Sequence, residues 1–184
     1  MHQRVMRLDP HNSLQKDKRV RRQDGFASGF LHFGQVSKNI GLGVVVVPKI
    51  PHGGKTLWCL GLYEPIMQYA GEIMNNTQYN KYTSDRKQVY GVKVGEDRTL
   101  VFTAEYRLQV LEAAKAGHDE LHDALTRGGG GFVQHSTNPN CVLMFIGTQL
   151  WVAASAFIYT GDCLSVNYGK SCIKYHERIN RPLL

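Results

Sequence analysis

Apolar residues fall in short blocks separated by polar and glycine-rich breaks, and most blocks have the length of a strand. The β-branched run Gly43-Val-Val-Val-Val47 reads as a buried strand ended by Pro48. Before it, Gly25–Gly34 mixes glycine with Phe and His and predicts a loop or a short extended piece; after it, Pro51–Lys55 predicts a turn. Leu57–Leu62 and Ile66–Met74 are apolar enough for strands, with Tyr63–Pro65 between them, whereas Asn75–Arg86 is polar, tyrosine-rich and loop-like. Val89–Val94 alternates and Thr99–Thr103 is β-rich, so Gly95-Glu-Asp97 predicts a hairpin turn. Tyr106–Leu125 is the best helix, with Leu108, Leu111, Ala114, Leu121 and Leu125 on a 3–4 spacing, and Gly128–Gly131 stops it. Cys141–Gly147 and Leu150–Ile158 read as strands, followed by a last apolar stretch to Tyr168. Many short strands and one clear helix predict a β-rich α+β domain, not a wound βαβ sheet.

Composition narrows the class. At 184 residues, 42% hydrophobic and 20% charged, the chain has the size of one domain with a real core. No apolar run approaches the roughly 18 residues of a membrane span, and residues 1–10 lack the apolar segment of a secretory signal. The cysteines at 59, 141, 163 and 172 form no CxxC pair and read as free thiols of a reducing compartment. Charge is uneven: five of the seven net positive charges lie in residues 1–22, from Arg4, Arg7, Lys16, Lys18, Arg19, Arg21 and Arg22 against Asp9 and Asp17. The sequence therefore divides into a basic arm, residues 1–32, and a nearly neutral domain. The arm reads as a solvated leader, an import-like cluster or a nucleic-acid contact through its phosphates.

Three motif-like fragments fail on spacing. Gly53-Gly-Lys-Thr56 has Lys49 where a phosphate-binding loop needs its first glycine, and no helix follows. His118 and His122 have metal-capable helical spacing, but Glu120 sits one place too late for a zinc protease and no cysteine pair completes a site. His135-Ser136 lacks elbow glycines and a placed acid. No bound metal is expected.

Four segments survive together. They are Gly41-Leu-Gly-Val-Val-Val-Val-Pro-Lys-Ile-Pro-His-Gly53, Tyr69-Ala-Gly-Glu72, Gly131-Phe-Val-Gln-His-Ser-Thr-Asn-Pro-Asn-Cys141 and Ile158-Tyr-Thr-Gly-Asp-Cys-Leu-Ser-Val-Asn-Tyr-Gly169. In this order they resemble the SET-domain protein lysine methyltransferases over residues 33–169. His-Ser-x-x-Pro-Asn followed by Gly-Asp-x-Leu-x-x-x-Tyr-Gly is the specific part. The resemblance implies small curved sheets with a C-terminal pseudoknot, S-adenosyl-L-methionine as cofactor, and a lysine-bearing protein substrate such as a histone tail. It also implies action in the nucleus or cytoplasm, or in a host nucleus for a secreted effector.

Carried over residue by residue, the resemblance assigns Gly41, Leu42, Gly43, Gln134, His135 and Tyr90 to the cofactor. It makes Tyr168 the catalytic tyrosine and lines the substrate channel with Tyr69, Tyr90 and Tyr168. Methyl transfer from a sulfonium to an amine is an in-line displacement, so the protein must supply alignment and exclude water. A desolvated tube of tyrosines favours the neutral amine that attacks. There are departures: Gln134 replaces an asparagine, Gly131 an arginine, and Thr137 the cysteine that in some members joins a zinc-binding tail. With Cys172 alone after Tyr168, residues 170–184 would close the channel without zinc. A catalytically impaired binding module on the same fold is the alternative reading.

Overall fold

The computed structural model describes residues 6–8, 29–37, 41–48, 57–59, 62–84 and 90–169. In chain order the strands before the helical region are β1 (Met6–Leu8), β2 (Gly29–Ser37), β3 (Gly41–Pro48), β4 (Leu57–Cys59), β5 (Pro65–Gln68) and β6 (Glu72–Met74). Helix α1 (Asn76–Ser84) precedes the hairpin β7 (Tyr90–Gly95)–β8 (Arg98–Phe102), and α2 (Ala104–Ala116) and α3 (His118–Gly128) follow it. A 3₁₀ turn, Gly129–Phe132, leads into β9 (Gln134–His135), β10 (Cys141–Ile146), β11 (Gln149–Ala154), β12 (Ile158–Tyr159) and β13 (Ser165–Val166).

These strands form small sheets ordered β1-β10-β11-β5, β6-β8-β7, β2-β3, β12-β4 and β13-β9. All described pairings are antiparallel except β1 with β10 and β13 with β9. The protein is thus a β-rich α+β fold. Among the described residues no helix is long and apolar enough to cross a membrane.

Alternation along the strands builds the core. Val44 and Val46 of β3, Leu31 of β2, Met67 of β5 and Val152 of β11 are fully buried, and α3 adds Leu121 and Leu125. Phe132 packs edge-on against both Phe33 and Phe102, with the Arg107 guanidinium over its ring. Helix α3 lies along β2, where the Leu31 N–H donates to His122 Nδ1 at 3.0 Å. An edge amide that lacks a strand partner is satisfied by a side chain.

Several sequence expectations need correction. Asn75–Arg86 is not a loop over its described length, because it contains α1. The Asn75 and Gln78 side chains and backbone amides bond reciprocally at the helix start, a capping-box arrangement. Tyr106–Leu125 is two helices, since Gly117 adopts an extended backbone between them. Ile66–Met74 is two short strands of different sheets. Of the two alternatives for Gly25–Gly34 the extended one holds over its described part, because Gly29–Gly34 begins a nine-residue strand. The arm boundary at residue 32 also moves: Leu31 is only 1% exposed inside the core, and Met6–Leu8 pair with Met144–Ile146. The Pro51–Lys55 turn and residues 170–184 lie outside the described residues.

Candidate functional site

The site forms where the C-terminal segment passes between two other elements. On one side, Leu164 N–H donates to Val44 O at 2.8 Å and Val46 N–H to Asp162 O at 3.0 Å, so this stretch runs antiparallel to β3. On the other side β13 runs parallel to β9, with Ser165 opposite Gln134 and Val166 opposite His135. Gln134 N–H donates to Leu164 O at 3.3 Å, and Ser136 N–H to Val166 O at 3.0 Å.

Asn140 fastens the crossing. Its Nδ2 donates to Cys163 O at 3.0 Å, and its Oδ1 accepts from Ser165 N–H at 2.9 Å. A side-chain amide carries a donor and an acceptor in one plane, which suits it to bridge two backbone groups. Asn140 was assigned no role from sequence; its place in Asn138-Pro-Asn140 just before a strand was the available signal.

Gln134 is buried, and its Nε2 donates to Leu42 O at 2.7 Å. This bond ties β9 to the Gly41-Leu-Gly43 strand and brings together residues that sequence reasoning grouped across 92 positions. The same amide leaves Oε1 buried without a hydrogen-bond donor. Burying an unsatisfied carbonyl costs about 1–3 kcal/mol, so the position suits a donor brought by a ligand. The Leu42 side chain beside it is 49% exposed.

Tyr168 follows β13 and is half-buried against the core. Its ring centre lies 5.3 Å from that of His135, and its backbone N–H donates to His135 Nδ1 at 3.1 Å. That bond leaves Nδ1 as an acceptor and orients the imidazole. The Tyr168 hydroxyl donates to the Val133 carbonyl. With its proton directed there, the oxygen keeps lone pairs that can accept from an incoming N–H. The hydroxyl can therefore orient an amine without acting as its acid.

The other expected channel residues are placed unequally. Tyr69 is buried in the core, its ring 6.4 Å from Phe102 and edge-on to it. The backbone of Tyr90 pairs with Phe102 at the start of β7, and its side chain lies outside the described residues.

The glycine run joins these parts. A Cβ on Gly131 would stand 2.2 Å from the Phe102 ring, and one on Gly130 would stand 2.7 Å from Tyr69 Cα. The arginine expected at 131 cannot fit this backbone, so glycine there is a packing requirement.

Cys141 and Cys163 flank the crossing as free thiols. Burial pushes the Cys141 thiol up to about 12; a Ser165 backbone hydrogen bond opposes this and nearby Cys163 adds to it. Burial also raises Cys163. Neither is an activated nucleophile. Among the described residues no group of three or more His, Cys, Asp or Glu side chains is arranged to hold a metal.

No protein-family model matches the chain, and no curated protein matches it in sequence.

Proposed function

We propose that the protein is a SET-type methyltransferase that transfers methyl groups from S-adenosyl-L-methionine to lysine side chains of a protein substrate. The observation that carries this reading is the parallel pairing of β13 with β9 beside β3. It collects the Gly41–Gly43, Gln134-His135 and Tyr168 segments, three of the four on which the family resemblance rests. A C-terminal strand lying between two earlier segments is also what the pseudoknot of that fold requires.

The residues present fit the cofactor. Gln134 Oε1 is an orphaned buried acceptor suited to an N–H donor, and the Leu42 side chain offers exposed apolar surface next to it. Gly41 and Gly43 carry no side chain to block close approach of the ligand to β3. S-adenosyl-L-methionine supplies an electrophilic methyl group on a sulfonium. Gln134 and His135 hold and orient, with Gln134 fixing β3 through Leu42 O. Tyr168 accepts a hydrogen bond from the neutral lysine amine, so that the nitrogen lone pair points along the line of transfer. A desolvated channel at this point would disfavour the charged ammonium and exclude water. Substrates are lysine-bearing basic segments such as histone tails, met in the nucleus or cytoplasm; nucleic acid reached through residues 1–22 is a second partner class.

A catalytically impaired binding module is the second reading. The observation favouring it is that Gln134 Nε2 and the Tyr168 hydroxyl are both committed to backbone carbonyls, as purely structural groups would be. Calorimetric titration with S-adenosyl-L-methionine, followed by mass spectrometry of candidate proteins incubated with labelled cofactor, tests the proposal. Cofactor binding with methylated lysine supports it. Binding of protein partners with neither cofactor uptake nor methylation supports the module.

A further inference from the structure

We propose that His32 and His118 form a surface site for a transition-metal dication of the kind imidazole prefers, Zn²⁺ or Cu²⁺, clamping β2 to α3. The inference is independent of the proposed function. Helical spacing pairs His118 with His122, but the folded chain uses them differently. His122 Nδ1 accepts the Leu31 N–H, so the proton of its neutral ring sits on Nε2 and neither nitrogen offers a lone pair. The partner of His118 comes instead from β2: the His32 and His118 ring centres are 4.9 Å apart with a 37° tilt.

Two features make this pair suited to a metal. Two imidazoles on one tetrahedral ion, with metal–nitrogen bonds of about 2.0–2.1 Å, hold their ring centres roughly 5 Å apart, close to the spacing seen. His32 Nδ1 also lies 2.8 Å from the Phe33 carbonyl, which can only accept. His32 therefore carries its proton on Nδ1 and presents a lone pair on Nε2. A backbone carbonyl on the far nitrogen is the outer support that metal-bound histidines usually have. His118 is exposed at the start of α3, so water can complete the coordination. With two protein ligands the ion exchanges readily, unlike the closed sites of structural zinc.

The test is the thermal unfolding of the full chain at pH 7.5 with ZnCl₂, CuCl₂ or MgCl₂, together with the metal affinity measured by calorimetry. Zinc and copper are expected to raise the melting temperature by a few degrees at saturation and magnesium to leave it unchanged. His118→Ala and His32→Ala should each weaken metal affinity at least tenfold. His122→Asn should melt lower yet keep the metal response. A response of equal size in parent, His32→Ala and His118→Ala would assign the metal to other histidines or cysteines and overturn the proposal. So would the absence of any response, which would make the ring pair an aromatic contact only.

Discussion

Replacing Tyr168 with phenylalanine separates chemistry from architecture. The substitution keeps the ring packed beside His135 and removes the oxygen that donates to Val133 O. One hydrogen bond is lost and the Val133 carbonyl, on a residue 1% exposed, is left without that donor. The stability cost is about 1–3 kcal/mol. For a chain of this size, each kcal/mol lowers the melting temperature by roughly 2–4 °C, so a drop of a few degrees is expected. If the oxygen also orients the lysine amine, methyl transfer falls by about 10²–10³ while cofactor affinity stays within a few-fold of the parent. Melting temperature, calorimetric affinity and transfer rate on the one variant resolve the two effects. A variant that melts lower but methylates at the parent rate would show that the hydroxyl only holds Val133, and the catalytic assignment would fall.

Four further outcomes follow from the same geometry. Gln134→Ala should weaken S-adenosyl-L-methionine binding about five- to tenfold through lost hydrogen bonding, and Gln134→Asn should bind at least as well as the parent; unchanged affinity in both would remove Gln134 from the site. Gly131→Ala should destabilise by about 1–3 kcal/mol through collision with Phe102, and denaturant unfolding with an unshifted midpoint would contradict the packing argument. Because the folded-state pKa of Cys141 is raised from 9.0 to about 12, the folded protein holds a proton that the unfolded chain has released. Its stability should fall as pH rises from about 9 by up to about 1.4 kcal/mol per unit, and Cys141→Ala should flatten that slope. Neutralising Lys16, Lys18, Arg19, Arg21 and Arg22 should flatten the salt dependence of DNA binding without lowering cofactor affinity, and an unchanged salt slope would exclude the arm from that contact.

The sequence was most legible where a single local rule governs. The valine run of β3, the β7–β8 hairpin and the β10–β11 hairpin follow from alternation and turn residues. The helical region was legible as helix but not as two helices, because one glycine inside an otherwise periodic run does not by itself predict an extended break. Helix α1 has no buried residue, so it lacks the apolar stripe by which helices are read; only its Asn75/Gln78 cap marked it. In the candidate site, the folded chain sets Leu42 against Gln134 and His135 against Tyr168, segments that motif order had already grouped. Their fastenings were invisible: the Leu42 and Val133 carbonyls and the Asn140 bridge are backbone-directed contacts that follow only from the tertiary path. Gly131 read as a departure from a pattern and proves to be dictated by the Phe102 ring.

The placement of residues 161–166 against both β3 and β9 also sets the order of assembly. The hairpins β2–β3, β7–β8 and β10–β11 close over short separations and can form as soon as their residues exist. Tyr168 meets His135 only across a sequence separation of 33, and the segment before it needs β3 and β9 already in place to receive it. Closing such long loops is entropically costly and slow relative to local contacts. A growing chain therefore completes most of its described sheets before residues 161–168 arrive, and the crossing that gathers Gln134, His135 and Tyr168 is the last of these described features to form. A nascent chain stalled before Gly161 would hold native hairpins but lack the contact between Tyr168 and His135 that completes the crossing.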